Sequence, residues 1–246
     1  MRVAALCDVH GNLPALDAVL VDVERAGVDA IVSGGDLVSG PMPVEVFERL
    51  SSRSDVHFVR GNADRLVLHA VPGPQEELHS WCAARLGQSR LEAVSAWPLT
   101  VELEVDGLGG MLFCHAIPSS DEPIFTRLTP DEEVAELLGA VDADAVVCGH
   151  THVQFDRRLG IALRVVNAGS VGMPYEGRRG AFWALLGPKV ELRRTEYNVE
   201  QALTWMHETG APISEKHAGW LLDPPDPDET SSYFESLRLA PPSDGA

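Results

Sequence analysis

Arg2-Val3-Ala4-Ala5-Leu6-Cys7-Asp8-Val9-His10-Gly11-Asn12-Leu13-Pro14 opens on an apolar run, crosses a polar loop and ends where a helix can begin. Residues 2–7 suit a short buried strand. Asp8 and His10 interrupt the run too soon for a signal peptide. Pro14 fits the first turn of a helix through Ala26, with Leu16, Val19, Leu20 and Val23 at helical spacing. Gly27 is its stop signal. The unit then recurs. Ala30-Ile31-Val32 predicts a second strand delivering Gly34-Gly35-Asp36, and Pro43 opens a helix with Val46, Phe47 and Leu50 on one face. Val56-His57-Phe58-Val59 predicts a third strand delivering Asn62. Strand–loop–helix repeats place reactive residues at strand C-termini, where open α/β sheets carry their sites.

Residues 65–95 read as mostly helical, broken at Val71-Pro72-Gly73-Pro74. Val101, Leu103 and Val105 alternate with acidic residues, as in a half-buried strand. Met111-Leu112-Phe113-Cys114 runs into His115, and Ala145-Val146-Val147-Cys148 into Gly149-His150. Helices are expected at 130–139 and 198–208. Strands near 153–158, 161–166, 180–186 and 189–196 predict a mainly antiparallel second half. Pro224-Pro225-Asp226-Pro227-Asp228 resists regular structure, and Ser232 to Leu239 suits a short helix at most. The pattern predicts two sheets packed face to face with helices outside.

The chain has 246 residues, 45% apolar and 23% charged, which accommodates one large core. A net charge of −18 disfavours nucleic-acid and anionic-membrane partners, which require a basic footprint. No apolar stretch is long enough for a bilayer span, so the expected location is the cytoplasm. Cys7, Cys82, Cys114 and Cys148 are read as small buried hydrophobes rather than as disulfides or thiolate ligands.

Five polar blocks follow apolar runs: Asp8-Val9-His10, Gly35-Asp36, Gly61-Asn62-Ala63-Asp64, Cys114-His115 and Gly149-His150-Thr151-His152. Each alone is an ordinary turn or strand end. As candidate ligands they supply four histidines, two aspartates (Asp8 and Asp36) and one asparagine, with Asp64 beside them. Residues two apart on a strand share a face, so Asp8 and His10 are expected to reach one cation. A carboxylate such as Asp36 can bridge two cations, which an imidazole cannot. Two adjacent cations point to phosphate-ester hydrolysis.

Over residues 1–200 these blocks resemble the calcineurin-like metallophosphoesterases, in particular the small bacterial and archaeal phosphodiesterase-type branch. The resemblance implies an α/β, four-layer α-β-β-α sandwich of two mixed sheets flanked by helices. It implies a single domain over residues 1–209, with segment 65–97 available to cap the pocket, and a partly irregular C-terminal extension over 210–246. It assigns Asp8, His10, Asp36 and His152 to one metal, and Asp36, Asn62, His115 and His150 to the other. Catalysis would rest on Asp36, Asn62 and His115, with metal-activated hydroxide attacking a small phosphate ester. The all-N/O donor set suits two divalent ions of Mn, Fe, Zn, Co or Ni, with Mn favoured. Asn12 and Arg60 are candidate substrate contacts, although Asn12 better suits a helix cap and Arg60 a surface salt bridge. Asp64 either orients a ligand histidine or caps the following helix. Arg178 and Arg179 are weaker candidates for the pocket wall, as is the loop 116–128.

One departure bears on substrate. The family's Gly-Asn-His block carries an imidazole that helps protonate the leaving group, and this chain has Ala63 there. His69 and His79 are replacements by position, but surface roles are expected for both. Alternatives to a phosphodiesterase are a nucleotide pyrophosphohydrolase, a protein serine/threonine phosphatase or a non-catalytic scaffold. The missing acid argues against a phosphoprotein substrate, and the intact ligand set argues against a scaffold.

Overall fold

Strand β1 (Val3–Leu6) lies in the middle of a five-stranded sheet, and its side chains divide by parity. Val3, Ala5 and, just past the strand, Cys7 face a second five-stranded sheet. Ala4 and Leu6 face helices instead. This is the period-two alternation of a strand buried on both faces. The computed structural model describes residues 1–69, 76–160, 163–213 and 215–239.

After β1 come α1 (Leu13–Ala26), β2 (Ala30–Gly34), α2 (Pro43–Ser51) and β3 (Val56–Val59). The three strands are parallel, with Val3 opposite Ala30 and Ile31 opposite Val56. Helix α1 buries Leu16, Val19, Leu20 and Val23, the face expected from spacing. Each such side chain contributes roughly 1.5–3 kcal/mol of transfer free energy before entropy is charged. Gly27 ends α1 in the left-handed conformation at φ 64°. Then follow α3 (Asn62–His69) and α4 (Glu76–Ser95), the latter interrupted at Gly87. The Pro72-Gly73-Pro74 break lies outside the described residues.

The second sheet contains β4 (Thr100–Val105), β5 (Gly109–Cys114), β6 (Ala145–Cys148), β7 (Phe155–Leu159) and β8 (Leu163–Asn167), in the order β4-β5-β6-β8-β7. Helix α5 (Asp131–Leu138) precedes β6 and covers the outer face through Val134 and Leu138. Strands β9 (Ala181–Leu186) and β10 (Val190–Thr195) return to the first sheet, beside β1. The second half is therefore antiparallel at its hairpins, as expected. Its sheet nevertheless has a parallel centre, because β6 lies parallel to both β5 and β8. The result is the α-β-β-α sandwich anticipated above. Ala5, Ala30, Ala145, Ala168 and Ala184 let the sheets approach, and Met111, Phe113 and Leu186 fill the space between.

The chain continues through α6 (Val199–Glu208), α7 (Glu215–Leu222) and α8 (Pro227–Arg238). Helix α8 corrects the reading of residues 224–228 as resistant to structure. Asp226 accepts from the main-chain N–H groups of Asp228 and Glu229, and Pro227 occupies the first turn. The same residues that break a helix in its interior start one here. No helix among the described residues is long and apolar enough to cross a membrane.

Candidate metal centre

Among the described residues, five non-glycine residues have left-handed backbones: Asp8, His10, Asp36, His150 and His152, at φ 55°, 47°, 54°, 68° and 58°. All belong to the polar blocks, and each follows the C-terminus of β1, β2 or β6. Such a conformation costs of order 1–2 kcal/mol per non-glycine residue, although Asp and His tolerate it better than most. Strain of this kind gathers at functional sites. It also corrects the expectation that Asp8 and His10 share a strand face. Strand β1 ends at Leu6, and the two side chains converge because the chain turns left-handed at each. Main-chain bonds hold the turn, with Asp8 N–H donating to Gly35 O at 3.0 Å and His10 N–H to Asp36 O at 2.9 Å.

The histidines share one arrangement. One ring nitrogen of each faces a main-chain carbonyl: His10 Nδ1 to Ser39 O at 3.2 Å, His115 Nδ1 to Gly34 O at 3.0 Å, His152 Nδ1 to Met173 O at 2.7 Å and His150 Nε2 to Glu122 O at 3.1 Å. A carbonyl only accepts, so these nitrogens carry the proton. In a neutral ring the other nitrogen is then a bare lone pair. Those inner nitrogens face one another, at 3.3 Å between His10 Nε2 and His152 Nε2 and 3.1 Å between His150 Nδ1 and His115 Nε2. Asp36 Oδ2 lies between the pairs, 3.7 Å from His10 Nε2 and 3.5 Å from His115 Nε2. Asp8 Oδ1 is 3.2 Å from His152 Nε2, and Asn62 Oδ1 is 2.9 Å from His115 Nε2. All seven residues named from the blocks thus come together. Asp8, His10 and His152 form one compact triad of donor atoms, and Asp8, Asp36 and His115 a second.

Opposed ring nitrogens beside carboxylates favour positive charge between them. Burial pushes the His10 pKa down, and burial with His115 pushes His150 down to about 4, which favours the neutral form of both rings. Burial opposes ionisation of Asp8, but His152, His115 and His10 outweigh it and hold the carboxyl well below its usual range. Burial also opposes charge on His115, yet Asp36 and Asp8 prevail and raise its pKa. Asp8 Oδ1 is buried without a hydrogen-bond partner. An orphaned buried carboxylate oxygen among anchored imidazoles fits divalent cations with N and O ligation.

A model of the calcineurin-like phosphoesterase superfamily domain matches residues 1–186. The chain belongs to that superfamily. An uncharacterized protein of Methanocaldococcus jannaschii is 28% identical over 223 residues, covering 81% of this chain and 89% of its own length. The crystal structure of a metallophosphoesterase from Sphaerobacter thermophilus superposes with a TM-score of 0.74 at 27% identity, covering 91% of this chain and 98% of that one. A hypothetical protein of Pyrococcus horikoshii shares the fold at a TM-score of 0.79 and 21% identity, covering 92% and 99%.

Within this phosphoesterase domain the supporting residues settle several open readings. Asp64 accepts from the N–H groups of Asp36 and Leu37 at 2.9 Å, Val38 at 3.0 Å and Gly61 at 3.1 Å. It fixes the Asp36 loop and the start of α3, not a histidine. Burial and the charge of Asp36 raise its pKa to about 7, against the pull of these donors. The glycines before the ligand-type residues were not singled out from sequence. A Cβ on Gly61 would stand 2.1 Å from Asp36 Oδ1, and one on Gly149 2.2 Å from Asp8 Oδ2. Asn12 Oδ1 caps α1 at Ala15 N, while its Nδ2 donates to Gly172 O and Tyr197 OH. Arg60 Nε is buried with no partner.

His69 is exposed as expected, whereas His79 is buried, with Nε2 unpartnered, so a surface role for it is wrong. Its apolar neighbours on α4 outweigh its polarity. Arg179 bonds Leu222 O and Glu200 and so fastens the C-terminal helices, while Arg178 lies over the Phe182 ring of β9, so neither is placed as a pocket wall. All four cysteines are free and buried, and burial raises their thiol pKa values. The loop 116–128 does reach the centre, through Glu122 O on His150.

Proposed function

We propose that this chain is a metal-dependent phosphoesterase of the phosphodiesterase type, acting on a small phosphate ester with two divalent cations. Asp8, His10, Asp36 and His152 would hold one cation. Asp36, Asn62, His115 and His150 would hold the other, with Asp36 shared. One observation carries this reading: four imidazoles are each anchored through one nitrogen to a carbonyl and turn the other inward, His10, His115 and His152 beside Asp8 or Asp36 and His150 against His115. The cations would supply Lewis acidity to water and phosphate. Mn, Fe, Zn, Co and Ni all suit the donor set, and Mn is our choice among them.

The protein's own groups would do the positioning. Carbonyls of Ser39, Gly34, Glu122 and Met173 fix the rings. Arg60, which has no ion pair with a described residue, would meet a phosphate oxygen. Asn12, its amide already engaged, would shape the floor of the site. Ala63 has no proton to give, which favours esters of acidic alcohols over phosphoserine.

The test combines metal analysis with hydrolysis of bis(p-nitrophenyl) phosphate and p-nitrophenyl phosphate. We expect close to two equivalents of metal and faster turnover of the diester. Asp36→Asn should lower kcat/KM by about a thousandfold or more, since it removes the shared charged donor. Unchanged hydrolysis by metal-replete Asp36→Asn protein would sink the enzymatic reading.

A further inference from the structure

The candidate centre opens on its His10 side into a narrow cleft of about 60 Å³. His10 and Asn12 stand at the inner end. Leu78 of α4, Leu203 and Met206 of α6, and Leu221 of α7 form the walls. Among the described residues lining it, His10 is the single titratable group. Asn12, the nearest amide, has its oxygen and nitrogen engaged inside the protein. Among the described side chains on these walls, Ser39 carries the single hydroxyl, and none besides His10 could carry a charge to neutralise a second phosphate. Moreover, α6 and α7 lie beyond residues 1–186, so the part of the chain outside the superfamily domain supplies most of the apolar wall. Leu203, Met206 and Leu221 are also continuous with a small core around Met42, Val199 and Ala202, which holds the wall in place.

We propose that this cleft receives an apolar substituent of the phosphate ester, so that the substrate class is esters of hydrophobic alcohols rather than nucleotides. This rests on the reading that Asp8, Asp36 and the four histidines bind the phosphate through cations. A phosphate over His10 would project its substituent along the cleft, where each buried methylene gains transfer free energy and meets no polar demand.

The test uses the full-length, metal-loaded protein and a series of methyl, butyl and hexyl phosphonates, titrated calorimetrically. Affinity should rise by about two- to fourfold per methylene until the cleft fills. The heat-capacity change should become more negative with chain length. Ala218→Phe, at a lining position, should abolish the gain while leaving methylphosphonate affinity within about twofold. Met206→Ala enlarges the same space and should shift the preference to longer chains, which keeps the proposal open to test if the first variant does not fold. Equal affinity for methyl and hexyl ligands, or a hexyl gain that survives both variants, overturns the proposal. The p-nitrophenyl diesters of methanol and hexanol separate this from the underlying reading. Hydrolysis indifferent to chain length refutes the cleft alone. Chain-length-dependent binding without hydrolysis of either ester refutes the phosphoesterase reading and leaves the cleft standing.

Discussion

At the scale of single residues, the centre depends on groups that never touch a substrate. Asp64 ties four main-chain N–H groups, three of them on the Asp36 loop. Asp64→Asn retains one acceptor oxygen and loses the other, leaving buried donors unsatisfied. It should cost about 2–4 kcal/mol in urea unfolding and weaken metal binding by roughly 10- to 100-fold. A loss of stability with unchanged metal affinity would reduce Asp64 to a helix cap. Gly149→Ala is a sharper probe, because its Cβ would lie 2.2 Å from Asp8 Oδ2 and 2.6 Å from Cys7 Cβ. The variant should keep native circular dichroism and bind metal at least about tenfold more weakly, because Asp8 must move.

At the scale of elements, the C-terminal helices show how a sequence reading fails and why. Proline-rich acidic composition argued against structure near residue 226, yet position outweighs composition when Asp caps and Pro follows. Helix α8 is then held by Glu235, which accepts from the hydroxyls of Thr126 and Thr129 and pairs with Arg238. Burial opposes ionisation of Glu235, but Thr129, Thr126 and Arg238 outweigh it and lower its pKa. A carboxyl with a depressed folded pKa stabilises fully above its unfolded value, about 4.3, and loses that contribution as pH falls through the lower folded value. Hydrogen exchange across residues 227–238 should therefore accelerate below about pH 4, ahead of global unfolding. Glu235→Gln should flatten that dependence; an unaltered acid profile would show that Glu235 does not control the docking.

At the scale of the whole molecule, the candidate ligands come from both sheets. Asp8, Asp36 and Asn62 follow strands of the first sheet, whereas His115, His150 and His152 follow strands of the second. Bound cations would therefore cross-link the two halves of the sandwich at one edge. Ligands that bind the native state alone stabilise it by mass action, about 2.7 kcal/mol at a hundredfold excess over Kd. Removing metal with a chelator should lower Tm by about 5–10 °C for a domain of this size. A melting temperature indifferent to chelation in freshly loaded protein would contradict a structural link between the sheets.

Much of this was legible along the chain, because it depends on local order. The alternation in β1, the face of α1, the run of parallel strand–loop–helix units and the residues of the five polar blocks are all written in short spacings, and short-range sterics and hydrophobic periodicity decide them. Other features depend on residues brought together from separate segments of the chain. The left-handed turns at Asp8 and His10 persist because Gly35, Asp36 and Gly172 hold them from other loops. The orientation of each imidazole is set by a carbonyl on another segment of the chain. The burial of His79 and the apolar wall beside His10 arise when α4, α6 and α7 close over the site. The sequence alone determined which chemical groups this protein can bring to its centre, since their identity is covalent. Tertiary structure alone decided which nitrogen of each ring faces inward and what lies beside it, since those depend on packing between segments no local rule connects.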